Sequence, residues 1–174
     1  MTNLSQFDAG YNTKQDRILL RITDKESEEY RLWLTRRMCR SFLTDFKTRT
    51  SSYRITGDSS VAPVADQQSA VLLADLEQKA AVANRDFSNK FRAGDSFPLG
   101  QEGMVVETIN LHPNSKGQGV HGLSLQDADG RGITINVSVD LLNSIFEVIE
   151  RVVHQADWSL DVPQAGESVA AVLQ

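Results

Sequence analysis

The chain has 174 residues, a formal net charge of −5 and one cysteine, with 40% hydrophobic and 24% charged residues. That length fits a single domain able to bury a core without covalent staples, and one Cys excludes a disulfide framework or a cysteine-rich zinc site. No apolar run approaches the ~20 residues that span a bilayer, and the start Met1-Thr2-Asn3-Leu4-Ser5-Gln6 lacks the basic and apolar regions of a secretory signal, so a cytoplasmic protein with no membrane contact is expected.

Charge is unevenly placed. Residues 14–54 carry eleven basic side chains against six acidic ones, a net of +5, which leaves −10 for the rest. Such asymmetry marks either a basic contact surface or a region packed against its own acidic remainder.

In chain order, residues 1–15 read as a flexible arm, because Leu4, Phe7 and Tyr11 follow no strand period. The aliphatic run Arg17–Thr23 suits a strand. Thr23-Asp24-Lys25-Glu26 resembles a helix capping box, yet Tyr30, Leu32 and Leu34 alternate with Arg31, Trp33 and Thr35, the period of a half-wet strand. The helical wheel supports the hairpin: from Arg36, the residues Met38, Cys39, Phe42, Leu43 and Phe46 fill an arc of roughly 140°, whereas extension back to Glu26 puts charges inside it. The pattern therefore predicts strands over 17–23 and 29–35 and a helix over 36–48.

Residues 49–65, rich in Ser, Thr, Gly and Pro, read as a mobile loop. A long middle helix is predicted over 66–91, where Leu73, Leu76, Ala80, Ala83, Phe87 and Phe91 form a seam suited to another helix or to a copy of itself. Gly94 would stop it. Strands follow over 104–111, 120–125 and 133–139, the last two joined by an Asp-Gly turn. Asp140 is the expected cap of a final helix, with an apolar stripe from Leu141 to Val153, ending near Asp157. The tail from 159 is polar and Ala-rich.

Residues 20–46 laid on 123–149 without a gap align in pattern: Leu20 with Leu123, Asp24 with Asp127, Tyr30, Leu32 and Leu34 with Ile133, Ile135 and Val137. The predicted fold is α+β, antiparallel strands in two hairpin-then-helix units (17–48 and 120–157) joined by the long middle helix and one further strand. A single domain over 16–158 lies between the arm 1–15 and the tail 159–174.

Catalytic signatures fail on inspection. In Asn114-Ser115-Lys116-Gly117-Gln118-Gly119 the lysine precedes the glycines and a strand follows, so no phosphate-binding P-loop is present. Asp127-Ala128-Asp129-Gly130 has Ser138 where an EF-hand needs its bidentate Glu. His112, His121 and His154 lack further zinc ligands at a recognisable spacing. Cys39 falls on the apolar side of its helix, where a thiol is inert packing. No metal or cofactor is expected, and the sequence points away from an enzyme.

One cluster stands out. Arg31 and Trp33 on the wet face of the second strand precede Arg36, Arg37 and Arg40, and arginines in a first helical turn oppose the helix dipole. Trp among guanidinium groups suits a protein contact or nucleic-acid stacking with phosphate contacts. It also suits a Trp covered by its own chain with a cation–π neighbour. The leading expectation is a non-catalytic protein-interaction or assembly module that self-associates as a homo-oligomer or docks on a larger complex, with Arg31, Trp33, Arg36, Arg37 and Arg40 as the partner-binding residues. The alternatives are nucleic-acid binding through the Arg31–Arg40 surface, and an enzyme or small-ligand protein using the 112–121 loop with His112, Lys116 and His121.

Overall fold

The computed structural model describes residues 3–56, 91–112 and 120–160. They form two sheets and two helices in an α+β architecture. The first sheet has the order β1 (Leu4–Asn12), β2 (Arg17–Asp24), β3 (Glu29–Leu34), β4 (Met104–Val105). Its first three strands are antiparallel, and β4 joins β3 in parallel. The second sheet is the antiparallel set β5 (Thr108–His112), β6 (Val120–Gln126) and β7 (Gly132–Ser138). Helix α1 (Arg36–Thr56) follows β3, and helix α2 (Val139–Gln155) follows β7.

Period-two alternation builds the core. Register pairs Ile18 with Leu34, Leu20 with Leu32 and Ile22 with Tyr30, which brings all six side chains to one face. Leu123 with Ile135 and Leu125 with Ile133 do the same in the second sheet, and all of these are buried. The helices close the core with Met38, Cys39, Phe42, Leu43 and Phe46 from α1, and Leu142, Ile145, Phe146, Ile149, Val152 and Val153 from α2. Phe46 stacks on Phe146 with ring centroids 4.4 Å apart, and α2 lies against β1 and β2.

Residues 4–12, expected as part of a flexible arm, are strand β1 on β2. Phe7, Ala9 and Tyr11 sit opposite Ile22, Leu20 and Ile18 and so share their core face. A register shift between Leu4 and Gln6 breaks the alternation, because a bulge inserts a residue and flips the faces beyond it. Helix α1 continues past the expected end at Thr48 to Thr56; no Gly or Pro interrupts it before Gly57. The cap of α2 is Ser138, whose Oγ accepts the Leu141 N–H at 3.1 Å, while Asp140 lies in the first turn where an acid complements the dipole. Residues 66–90 of the middle helix predicted over 66–91, the 57–65 part of the expected loop, the Gly-rich 114–119 segment and the tail from 161 lie outside the described residues, and Phe91 is not helical.

The aligned pair Asp24 and Asp127 do the same work in the β2–β3 and β6–β7 turns. Asp24 Oδ1 accepts the N–H groups of Glu26 and Glu28, and Asp127 Oδ1 those of Asp129 and Arg131. Each turn closes with a backbone bond from the Asp N–H to the carbonyl four residues on, at 3.1 and 2.9 Å. Each places its fourth residue at positive φ, Ser27 at 62° and Gly130 at 79°.

The Phe46–Phe146 stack bridges the two helices, so Phe146→Ala is expected to cost about 3–5 kcal/mol, read by urea unfolding. A cost under ~1 kcal/mol would show that the helices do not depend on this contact.

Candidate functional site

The outer face of the first sheet carries charge across three strands: Asp8 opposite Arg21, and Arg21 opposite Arg31. Two guanidinium groups directly opposite repel, and each is compensated separately. Arg21 donates to Asp8 and lies 4.2 Å from the Phe91 ring centroid. Arg31 donates to Glu29 Oε1 and to the Gln101 carbonyl, both at 2.7 Å, and sits 4.4 Å from the Phe97 centroid.

Glu29 is fully buried. Its second oxygen accepts the Gly94 N–H at 2.9 Å, and its own N–H donates to Ser96 O at 2.8 Å. Burial pushes its carboxyl pKa up, but the bonds from Arg31 and Gly94 and the charges of Arg31 and Arg21 outweigh burial and hold it below the ordinary value. Around this pin, residues 92–106 strap the sheet. Gln6 exchanges two bonds with the Arg92 backbone, and Asp95 N–H donates to Ser27 O. The strap lies so close at Gly94 that an added Cβ would come within 2.6 Å of Ser27 O. Gly103 combines a φ of +76° with an equally close approach to Arg31 O.

The strap takes up two of the expected partner-binding residues. Arg31 is held as above, and Trp33 donates its indole N–H to Glu102 O at 2.7 Å while its carbonyl accepts the Val106 N–H. Among the described residues, these bonds to Arg31 and Trp33 come from the segment 92–106. Arg36 is also engaged: it donates to Ser159 O at 3.1 Å and its charge faces Asp16. Asp16 accepts the Tyr11 hydroxyl at 2.7 Å and the Trp158 indole N–H at 2.8 Å; those bonds, against burial and with help from Arg36, hold its pKa below the ordinary carboxylate value. Arg37 and Arg40 are different. Both are exposed on α1, and neither makes an ion pair among the described residues. The structure thus leaves Arg37 and Arg40 together on the helix and separates them from Arg31 and Trp33 on the sheet.

Other candidates offer little chemistry. Burial pushes the Cys39 thiol up to about 12, which leaves it protonated and unreactive. An open cavity of about 150 Å³ lies between α1 and β5, lined mainly by apolar residues such as Phe42, Ile109 and Leu111, with Ser41, Asp45 and Asn110 beside them. His112 Nε2 lies 3.0 Å from Ser124 Oγ, which lies 2.8 Å from Thr134 Oγ1. Ser124 is buried, and no carboxylate among the described residues orients His112, so a catalytic triad is not assembled. Lys116 and the His121 side chain lie outside the described structure. Among the described residues no three His, Cys, Asp or Glu side chains gather to hold a metal, and no helix is long and apolar enough to cross a membrane.

Comparison with known proteins finds no matching family model, no matching curated protein and no matching solved structure.

Sequence reasoning passed over Glu29 and the strap. A local signal existed: a Glu at the start of a strand two residues before an Arg on the same face. The depressed carboxyl of Glu29 gives the sign of its pH effect: its stabilisation is present above its unfolded pKa, near 4.5, and is lost as pH falls through the lower folded pKa. Glu29→Gln is therefore expected to cost about 2–3 kcal/mol at neutral pH. That is less than the ~3–5 of a fully buried pair, since Arg31 keeps its bond to Gln101. The difference from the parent should shrink below about pH 4. A difference independent of pH in denaturant titrations would refute the pinned-carboxylate account.

Proposed function

We propose that the chain is a non-catalytic interaction module that docks on a larger assembly through the exposed face of α1. The observation that carries this reading is the division of that helix. Its apolar residues from Met38 to Phe46 are spent on the core, Arg21 and Arg31 of the neighbouring sheet face are paired with Asp8 and Glu29, and Arg37 and Arg40 remain exposed with no acid in the first turn. Like charges gathered at the positive end of a helix dipole are unfavourable in isolation, and an anionic partner relieves that cost. Inert Cys39 and the incomplete His112–Ser124 pair support a binding role over a catalytic one.

Self-association is a second reading, favoured by β5. Among the described residues its only ladder neighbour is β6, and an unpaired edge strand is a template for pairing. A second copy is the fitting occupant, because an antiparallel pair of identical strands is self-complementary about a twofold axis. Light scattering that finds a monomer at all micromolar concentrations would sink this second reading.

For the primary reading, a tagged chain should retain a partner from its native lysate, and Arg37→Glu/Arg40→Glu should lose it. Both positions are exposed, so the melting temperature should change by less than the ~4 °C that a 1 kcal/mol loss would give. Capture unaffected by the double reversal would reject α1 as the docking face.

A further inference from the structure

We infer that the groove between α1 and β5 takes an extended segment of a partner protein, which adds to β5 as a further strand and sends an apolar side chain into the groove. This rests on the reading of α1 as the docking face and names the segment that docks there.

The cavity of about 150 Å³ is walled by Met38, Phe42 and Phe46 of α1, by Leu142 of α2 and by β5. Three consecutive residues of β5 line it, Ile109, Asn110 and Leu111. Side chains alternate between the two faces of a strand, so a cavity touched by three in succession lies along the edge of the strand and not over one face. That edge is the free one. Among the described residues β5 pairs only with β6, which leaves the backbone groups of its other side without a ladder partner. An apolar groove and an open strand edge therefore meet at one place.

This combination selects the occupant. A sheet edge takes an extended backbone, and pockets beside it read alternate side chains. A small organic ligand is disfavoured by size, since its sites enclose roughly 300–1,000 Å³. A second copy of β5 suits the edge taken alone, but the groove selects against it. The side chains it would bring to that face, its Ile109 and Leu111, are already half-buried beside its own α1.

The rim of the groove sets the charge of the segment. Ser41 and Asp45 line it, and Arg37 stands one turn before Ser41 in the same column of α1; all three are exposed. Neither Arg37 nor Asp45 makes an ion pair among the described residues. Their separation along the helix axis is about 12 Å, which a strand covers in about four residues. Residues i, i+2 and i+4 of a strand share one face. The fitting segment therefore carries an acid, an apolar residue and a base at alternate positions, with the acid at Arg37 and the base at Asp45. Its intervening positions fall on the side of Thr108, Asn110 and His112, all exposed, where polar strand formers such as Thr fit.

The probe is a fluorescein-labelled peptide, Thr-Glu-Thr-Leu-Thr-Lys-Thr, titrated with the full chain and read by anisotropy. It should bind saturably, and versions with two Glu or two Lys at the charged positions should bind roughly three- to tenfold more weakly. Attraction by net charge alone would instead put the two-Lys peptide first, on a chain of net −5. Replacing the Leu of the peptide with Ser should lower affinity at least ~10-fold, and methylating every backbone nitrogen should abolish binding by removing the donors that pair with β5. Asp45→Lys should move the preference to the two-Glu peptide, and Arg37→Glu to the two-Lys peptide. Both positions are exposed, so both variants should keep the fold.

No saturable binding up to about 1 mM, a ranking by net charge, or equal binding of the methylated peptide would overturn the inference. So would a stable dimer that binds no peptide, which gives the edge to a second copy. The reading of α1 fails separately. Lysate capture lost in Arg37→Glu/Arg40→Glu while no peptide binds would overturn the groove and keep the docking face. Capture unaffected by that variant, with peptide preference still following Arg37 and Asp45, would keep the groove and overturn the wider reading.

Discussion

A carboxylate taken out of water must find its donors within the fold, and at Glu29 this requirement organises one side of the molecule. Its two oxygens recruit Arg31 from the same strand and the Gly94 N–H from 65 residues away in sequence. That long-range bond fixes where the strap begins. The parallel pairing of β4 with β3 and the Trp33–Glu102 bond fix where it ends. Phe91 and Phe97 then lie over the arginines, so the outer face of the sheet is partly covered by side chains of its own chain.

Arg21, Arg31 and Trp33 are half-buried, each bonded to or packed against its own chain. Arg36 is drawn toward Asp16 and the carbonyl of Ser159, at a junction that also holds Tyr11 and Trp158 with ring centroids 5.7 Å apart. Among the described side chains of the N-terminal half, the exposed basic residues include Arg37 and Arg40 on α1 and Lys14 and Lys25 in the turns before it.

Much of the fold is legible in the sequence where a side chain's role depends on near neighbours. The alternation of Ile18, Leu20 and Ile22 against Tyr30, Leu32 and Leu34, the apolar arcs of both helices, and the Asp24–Asp127 correspondence are all short-range patterns, and the structure contains each of them. Strand β1 was hidden because its bulge turns the spacing Leu4–Phe7 from two to three, and because Ala9 contributes too little apolar surface to mark the face. The strap was illegible for a different reason. Its partners Gln6 and Glu29 are distant in sequence, and it has no periodicity of its own. The cluster Arg31 to Arg40 was legible as a group of residues but not as a surface, since sequence proximity spans the turn from β3 into α1 and hides that the two elements meet different surroundings.

The central claim is that α1, and not the sheet face, meets the partner. Cross-linking mass spectrometry on complexes captured from native lysate, with chemistry that joins protein to protein and protein to nucleic acid, tests it most directly. The account predicts that partner cross-links map to residues 36–54 and leave 29–33 and 92–106 linked only to each other. Cross-links from Trp33 or the strap to the partner, with α1 unmodified, would contradict it.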